Sequence, residues 1–313
     1  MTTASPFPTI DYDANDYDYQ DYWNGRDYEM WSEDRVLRRL IPQLRPFSWF
    51  ADFGGAYGRN SRYYLHEAQQ AVILDYSATN LTNAAGRHPG SLDKLGLVRC
   101  DLNKVPFADD AFDAAMVIRV LHHLPDVDHA LGEMGRTIAG GWLIDVPIKH
   151  HLLGLARGAV NRRLADVRNA QPLVTGASDE KYFNFQLTAI RERLTSLGWR
   201  TRLGASVNNF RRWESRVPST VARYARPVVQ GLEACTQSVG RGWLGPSQFV
   251  VGTRTITPAP RFGEPAPGLP AFTARMVCPA CRGALAWTPE TAKCGGCARE
   301  YHRHGPYWDF VAH

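Results

Sequence analysis

Five short apolar segments between residues 48 and 147 most constrain the fold of this chain, because a segment of helical character or a loop separates each from the next. The five segments read SWFADF, AVILDYS, LGLVRCDL, AFDAAMVIRV and GGWLIDVP. Continuous apolar strands with helices between them are typical of a parallel sheet covered on both faces. The sequence therefore predicts an α/β fold with a doubly wound, mostly parallel sheet. Ligands of such sheets bind beyond the carboxyl ends of the strands.

Composition places the chain among globular proteins of ordinary charge. Its 313 residues can bury one large core and still supply a small second module. It contains no run of about eighteen apolar residues, so we expect no membrane span. The opening MTTASPFPTIDYDANDYDYQDYW lacks the regions of a signal peptide, which together with the cysteine spacing predicts a cytoplasmic protein. The net charge of +5 is compatible with a polyanionic partner without requiring one.

Shifts in composition divide the chain into four parts. Residues 1–21 alternate Asp with Tyr and predict a flexible acidic and aromatic arm, and residues 22–256 form the main domain. Within it, residues 148–185 interrupt the alternation of strands and helices and predict a cap-like insertion. Residues 257–272 hold five prolines and predict a semi-rigid linker, which leaves residues 273–313 as a separate small domain.

A glycine-rich loop follows the first apolar segment. It reads FADFGGAYGRN, in which Gly54, Gly55 and Gly58 let a backbone approach a ligand closely. Two acids close the next segments: Asp75 ends the second, where a carboxylate can take ribose hydroxyls, and Asp101 follows the third, where one can accept from an adenine amino group. A loop of this kind alone is also compatible with a tight turn or a nicotinamide site. Together with both acids it predicts a site for an adenosine group.

From Asp52 to Pro147 the chain resembles the class I S-adenosylmethionine-dependent methyltransferases, in particular their ubiquinone-biosynthesis-like branch. The resemblance depends on DFGGAYGR, ILDYS, RCDLNKVPFADDAFDAAMVIRVLHHLPD and GGWLIDVP, in the order and spacing of that family. It implies a Rossmann-like fold and S-adenosylmethionine as cofactor. The residues it assigns to the cofactor are Asp52, Gly54, Gly55, Gly58, Asp75, Tyr76, Asp101, Leu102 and Arg119. Ala56 departs from the family pattern, which has a third glycine there, and is tolerable if its φ is negative.

Three residues near the predicted acceptor side are candidate bases. They are His122 and His123 after the fourth segment, and Asp145 near the end of the fifth. A histidine pair that packs and caps the next helix is the alternative interpretation of LHHL. The insertion carries Lys149 and several arginines around a predicted helical face with Leu153 and Val160, so it indicates either an anionic acceptor or an ordinary basic helix.

Two CxxC pairs near the end of the chain predict a metal site. Cys278, Cys281, Cys294 and Cys297 can hold one Zn²⁺ tetrahedrally, and four thiolates leave no open position, so the zinc is expected to be structural. Pro279 and the glycines nearby are expected to supply the tight turns. The segment resembles the zinc-ribbon proteins that activate methyltransferases, which implies a protein partner as a further role.

The sequence thus predicts an enzyme that transfers a methyl group from S-adenosylmethionine to an acceptor that is either a small metabolite or RNA. The zinc ribbon is expected to contact the acceptor, a partner or the catalytic domain. An alternative from another class is a non-catalytic adaptor that binds the cofactor, or regulates another methyltransferase, without transferring methyl groups.

Overall fold

The computed structural model describes residues 13, 19–176, 181–211, 213, 216–254 and 262–311. Most of the predicted arm, the first part of the predicted linker and the last two residues therefore lie outside the described residues. The helices are α1 (Asp27–Leu40), α2 (Ala78–Arg87), α3 (Val127–Arg136), α4 (Leu152–Val160), α5 (Leu164–Arg168), α6 (Leu187–Ser196) and α7 (Ser219–Val239). Among these residues no helix is long and apolar enough to cross a membrane.

Eleven of the described strands join in one sheet. The strands are β1 (Trp49–Phe53), β2 (Gln70–Asp75), β3 (Leu95–Arg99), β4 (Phe112–Val117), β5 (Ile138–Pro147), β6 (Leu173–Thr175), β7 (Tyr182–Asn184), β8 (Arg200–Val207), β9 (Ser247–Thr253), β10 (Leu285–Trp287), β11 (Thr291–Cys294), β12 (Glu300–His304) and β13 (Tyr307–Asp309). The sheet has the order β10-β11-β12-β13-β3-β2-β1-β4-β5-β9-β8, and β6 pairs separately with β7.

The predicted α/β fold is confirmed. Strands β3, β2, β1, β4 and β5 are parallel to one another, β9 adds one antiparallel strand beyond β5, and β8 pairs antiparallel with β9 and so runs in the direction of the central strands. The central strands are apolar because helices cover both faces: Phe50, Val72 and Val117 are all fully buried. The strand order reverses between β1 and β4, which places a ligand crevice at their carboxyl ends.

Strands β10 to β13, which lie in the cysteine-containing region, extend the same sheet. Strand β13 pairs in parallel with β3, with Trp308 opposite Val98 and Asp309 opposite Arg99. The Phe310 amide donates to the Arg99 carbonyl at 2.8 Å, and Phe272 packs so closely on Gly96 that a Cβ there would lie 2.5 Å from its ring. The region from Met276 to Val311, called the ribbon below, therefore shares its core with the main domain.

The predicted cap differs from a single amphipathic helix. It forms two short helices, α4 and α5, because Arg162 takes a left-handed φ of 55° between them. It also contains the antiparallel strand pair β6 and β7. Leu153 and Val160 of the predicted helical face are exposed, whereas Val167 of α5 is buried.

Candidate functional site

The carboxyl ends of β1, β2 and β3 surround a small cavity of about 80 Å³. Six of the nine residues predicted for the cofactor line this cavity: Gly54, Asp75, Tyr76, Asp101, Leu102 and Arg119. The others, Asp52, Gly55 and Gly58, are not among its lining residues. The parallel sheet brings the acids together, because successive parallel strands end at the same edge.

The glycine loop approaches its neighbours so closely that side chains would collide. A Cβ on Gly55 would lie 2.7 Å from the Asp52 carboxyl carbon, and one on Gly54 would lie 2.2 Å from Val120. Gly54 and Gly58 have positive φ values of 65° and 73°. Ala56 has a φ of 47°. The expectation of a negative φ, which alanine would adopt without strain, is therefore wrong. The left-handed conformation explains why glycine suits this position.

Asp52 lies behind the loop, not in the cavity. It is buried and accepts a hydrogen bond from Tyr64 Oη at 3.0 Å. Burial raises the pKa of Asp52 to about 8, against the opposing effect of that hydrogen bond. Its carboxyl group packs against Gly55, where a Cβ would lie 2.7 Å from the carboxyl carbon.

The two acids at the strand ends differ in how much of their hydrogen-bonding capacity the protein uses. Asp75 accepts from the Ala56 amide at 2.8 Å and from the Ser77 amide at 3.0 Å, which fixes the loop against the start of α2. Asp101 accepts from Asn103 only through Oδ1, twice at 2.9 Å. Each carboxylate oxygen can accept two hydrogen bonds, so both acids keep acceptor positions for a ligand.

Two arginines and one glutamate form a buried ion cluster over the loop. Glu33 of α1 pairs with Arg59 and, at 2.8 Å, with Arg119. Burial opposes the ionisation of Glu33, but the two guanidinium groups overcome it and lower its pKa. The Trp23 ring stacks on both guanidinium groups. Its centroid lies 3.8 Å from Arg59 Cζ and 4.6 Å from Arg119 Cζ. Tyr22 Oη accepts from Arg119 at 2.9 Å.

Arg119 is the residue of this cluster that lines both the small cavity and the larger cavity beside it. Its Nη2 is buried and has no hydrogen-bond partner within the described ranges. Its φ of 60° is left-handed, which is costly for a residue with a side chain and is common at functional sites. A buried guanidinium with a spare donor beside this cavity fits an anionic group such as a carboxylate.

A larger cavity of about 550 Å³ adjoins the first, and the two share Tyr19, Arg119 and His123. All three candidate bases, His122, His123 and Asp145, line this larger cavity. Burial lowers the pKa of His123 to about 4, and burial together with the neighbouring His123 lowers that of His122 further. Both rings are therefore neutral at pH 7, and both lie within 5.6 Å of the Tyr182 ring.

Among the three candidate bases, Asp145 has the pKa that lies nearest to neutral pH. Burial raises its pKa to about 6, and the Ser247 hydroxyl, which donates a hydrogen bond to it, opposes that rise. Asp145 is therefore mostly ionised at pH 7 and can accept a proton from a bound molecule.

A third cavity, of about 490 Å³, continues outward beneath the cap and shares Asn208 and Arg211 with the second. Arginines from α4, the α4–α5 turn and the segment after β8 surround it: Arg157, Arg163, Arg211 and Arg216. Asn208 stands at the junction with a φ of 61°, and its buried Oδ1 has no partner among the described residues. Lys149 is held by three acceptors, including the Asp166 carbonyl at 2.7 Å.

The four cysteines come together in the ribbon, where their sulfur atoms lie within 4.8 Å of one another. Cys278 Sγ lies 3.6 Å from Cys297 Sγ, and Cys281 Sγ lies 3.4 Å from Cys294 Sγ. Bonds of about 2.3 Å to one tetrahedral zinc would separate two sulfurs by about 3.8 Å, so the donor set fits this ion.

The residues that close each cysteine turn differ from expectation. Arg282 and Ala298, directly after the second cysteine of each pair, take left-handed φ values of 59° each. Gly283 and Gly296 instead leave space for the sulfurs, because a Cβ on Gly283 would lie 3.1 Å from Cys294 Sγ.

Several site residues have no motif that reveals them. Tyr19 from the predicted arm lines both inner cavities, and Glu33 and Asn208 come from segments far from the glycine loop in sequence. Asp13 of the arm accepts from the Ala78 amide at 2.7 Å, at the start of α2. The density of Tyr and Asp in the arm was the only signal that it has a structural role.

Comparisons with known proteins agree with this geometry. Residues 51–144 match the Methyltransferase domain family. The demethylmenaquinone methyltransferase of Streptomyces avermitilis is 30% identical over 122 residues, which are 38% of this chain and 51% of that protein. The protein of the same name from Thermobifida fusca is 32% identical over 101 residues, 32% of this chain and 43% of that protein. The chain thus spans about half the length of these relatives.

A solved chain from the complex of the Haloferax volcanii Trm112 methyltransferase activator with a methyltransferase is also similar in outline. It is 17% identical, with 82% of this chain and 98% of that chain covered and a TM-score of 0.49. Residues 51–144 thus match a methyltransferase domain, and the strand order shows that they lie in a Rossmann-like, mostly parallel sheet.

Proposed function

We propose that this protein is an enzyme that binds S-adenosylmethionine at the strand-end acids, across the small inner cavity and its border with the adjoining one, and methylates a small molecule in the adjoining cavity. The observation that carries the proposal is the continuity of the two cavities through Arg119 and His123. A cavity of about 550 Å³ is of the size that encloses small organic ligands. Tyr19 from the arm and Tyr182 from the cap lie on its walls, which favours a small acceptor over RNA.

The residues present fit the cofactor. Asp75 would accept from the ribose, Asp101 from the adenine amino group, and Arg119 would donate to the amino acid carboxylate. When bound, the sulfonium of S-adenosylmethionine supplies an electrophilic methyl group. The glycine loop would position the amino acid end, and the Tyr22 and Trp23 rings would exclude water above the ion cluster.

Asp145 would remove the proton that the acceptor loses, because its pKa of about 6 leaves it ionised at neutral pH while it remains a useful base. The neutral rings of His122 and His123 would orient the acceptor by hydrogen bonds and packing. The zinc held by the four cysteines would be structural, since four thiolates complete its coordination.

Calorimetry with S-adenosylmethionine tests the cofactor site. Asp75→Ala is expected to weaken binding at least about tenfold through the loss of a hydrogen-bonded charge. Asp93→Ala is the matched control, because it is the same substitution at an exposed position between α2 and β3. This variant should bind the cofactor as the wild type does. Absence of binding by the wild-type protein would refute the proposal.

Methyl transfer separates an enzyme from an adaptor. Incubation of the methyl-labelled cofactor with demethylmenaquinone, and in parallel with RNA and a total small-molecule extract, should put label into a small molecule. Two relatives carry the name of demethylmenaquinone methyltransferase, so that acceptor is tried first. Cofactor binding without transfer to any fraction would favour the adaptor, and label in RNA would reject the acceptor class.

The pH dependence of the rate tests the base. The rate should fall as the pH drops through about 6, because Asp145 is then protonated. Ser247→Ala removes the hydrogen bond that favours the ionised form, so it should move this limb to higher pH. Asp145→Asn should lower the rate at least about a hundredfold with cofactor affinity unchanged.

A further inference from the structure

Helix α7 buries polar side chains and exposes apolar ones. Glu233 and Gln237 are fully buried, and Glu233 accepts from Tyr28 Oη at 2.7 Å and from the Asn208 amide at 3.0 Å. Tyr224 is 78% exposed and Val228 65% exposed. A surface helix normally turns its apolar side to the core. The helix is thus anchored to the domain by hydrogen bonds, and its apolar side faces outward.

The exposed apolar residues of α7 lie along one side of the helix. They recur at intervals of three or four, which places them within a narrow stripe. The members of the stripe are Val221, Tyr224, Val228, Leu232, Cys235 and Val239. A contiguous apolar stripe of this length is uncommon on the surface of a monomeric protein and marks an interaction surface.

The stripe continues onto the cap. Trp243 donates its indole N–H to the Val239 carbonyl at 3.1 Å, and the Leu152 amide donates to the Trp243 carbonyl at 2.7 Å. Trp243, Leu152 and Leu153 are about half exposed, and Val160 of α4 is 83% exposed. We call the exposed residues of α7, Trp243 and α4 together the apolar face.

Positive charge borders the apolar face. Helices α4, α5 and α7 carry two acids, the buried Glu233 and Asp166, which pairs with Arg163. Arginines on or between these helices, and one just after α7, are exposed: Arg157, Arg162, Arg163, Arg168, Arg223 and Arg241. Arg226 is turned away from the stripe and pairs with Asp27 of α1 at 3.6 Å. The charge is therefore that of a surface that attracts anions.

We infer that the apolar face docks on the surface of an anionic lipid bilayer. Apolar side chains bordered by arginine, with Tyr and Trp among them, match the boundary between acyl chains and acidic headgroups. A second copy of this chain fits less well, because the cationic borders of two such faces would repel each other. Docking would also bring the outer cavity to the membrane, since Leu153 and Arg157 belong to both. The inference does not depend on methyl transfer.

Flotation of the purified full chain with lipid vesicles tests this inference. The protein should float with vesicles of equal parts phosphatidylcholine and phosphatidylglycerol, and much less with phosphatidylcholine alone. Val228→Glu combined with Leu232→Glu should weaken binding at least about tenfold, because two apolar side chains are lost from the contact. Arg223→Gln should weaken it about fivefold.

Leu92→Glu is the matched control, since Leu92 is also an exposed apolar residue but lies between α2 and β3. It should bind as the wild type does, and thermal unfolding of each variant checks that the fold is kept. Failure to bind acidic vesicles at low salt, or equal binding by the double variant, would overturn the inference. A dimer in sedimentation that becomes monomeric in the double variant would overturn it as well, in favour of a second copy.

Discussion

The ribbon extends the sheet, and the ion cluster of Glu33, Arg59 and Arg119, called the cover below, lies over the glycine loop, but interactions of very different sequence range hold the two regions together. The four cysteines of the ribbon lie within one short segment, where Cys278 and Cys297 are 19 positions apart. The cover is held by Glu33 of α1, whose partner Arg119 is 86 positions away. The cysteines of the ribbon are therefore recognisable within one short segment of the sequence. The ion cluster of the cover forms only when distant segments of the chain have folded together.

We expect loss of the metal to destabilise the ribbon more than any single substitution destabilises the cover. Cys294→Ser is expected to abolish zinc binding and unfold the ribbon, because bound zinc contributes about 10 kcal/mol in small zinc modules. Zinc content per chain and hydrogen exchange of β11 and β13 measure this. Cys235→Ser, at an exposed cysteine outside the cluster, should change neither quantity. A zinc-free ribbon with unchanged protection would contradict the dependence.

The cover should be the next most sensitive region. Glu33→Gln leaves Arg59 and Arg119 buried without their counter-charge, which is expected to lower the free energy of unfolding by about 3–5 kcal/mol. The neighbouring Asp34→Asn is the control, since Asp34 pairs with the largely exposed Arg38 and Arg62 and should cost about 1 kcal/mol or less. Urea unfolding of both variants makes the comparison. Equal losses would show that the cluster is not buried as described.

The junction of the ribbon with β3 should respond less strongly than the cover. Asp309→Asn breaks the pair with Arg99 at 2.9 Å, and both side chains are mostly buried, so about 1–3 kcal/mol of stability is expected to be lost. Arg99 also donates to the Tyr76 carbonyl at 2.9 Å, beside the inner cavity. Calorimetry should therefore show weaker cofactor binding as well. Glu300→Gln, at an exposed position of the ribbon, should leave both measurements unchanged.

The smallest effect is expected in the loop itself. Ala56→Gly relieves a left-handed φ that costs about 1–2 kcal/mol, but loses about 0.8 kcal/mol of methyl burial and about 0.5–1 kcal/mol of backbone entropy. These terms nearly cancel, so stability should stay within about 0.5 kcal/mol of the wild type. Ala85→Gly inside α2 has no strain to relieve and should lose about 1 kcal/mol. Equal losses in the two variants would argue against the left-handed conformation at Ala56.

Much of the fold was predictable because its signals are local. Five apolar segments with helices between them suffice for a parallel sheet, and the acids that end β2 and β3 must then meet at one edge. The docking of the ribbon on β3 was not predictable, because the pairing of Trp308 with Val98 joins residues 210 positions apart and has no periodicity of its own. The prediction of one helix in the cap was wrong for a similar reason. The turn at Arg162 depends on the contact of Gly158 with Val167 of α5, where a Cβ on Gly158 would lie 2.8 Å from the valine side chain.

The sequence by itself determined the class of sheet, the acids at its strand ends and the four thiols that can hold a metal. Spacing along the chain is sufficient for each of them. Tertiary structure alone decided which buried charges pair with Glu33, where the ribbon docks, and which side of α7 faces outward. Those features depend on contacts between distant segments, whose free energies compete only when the whole core has formed.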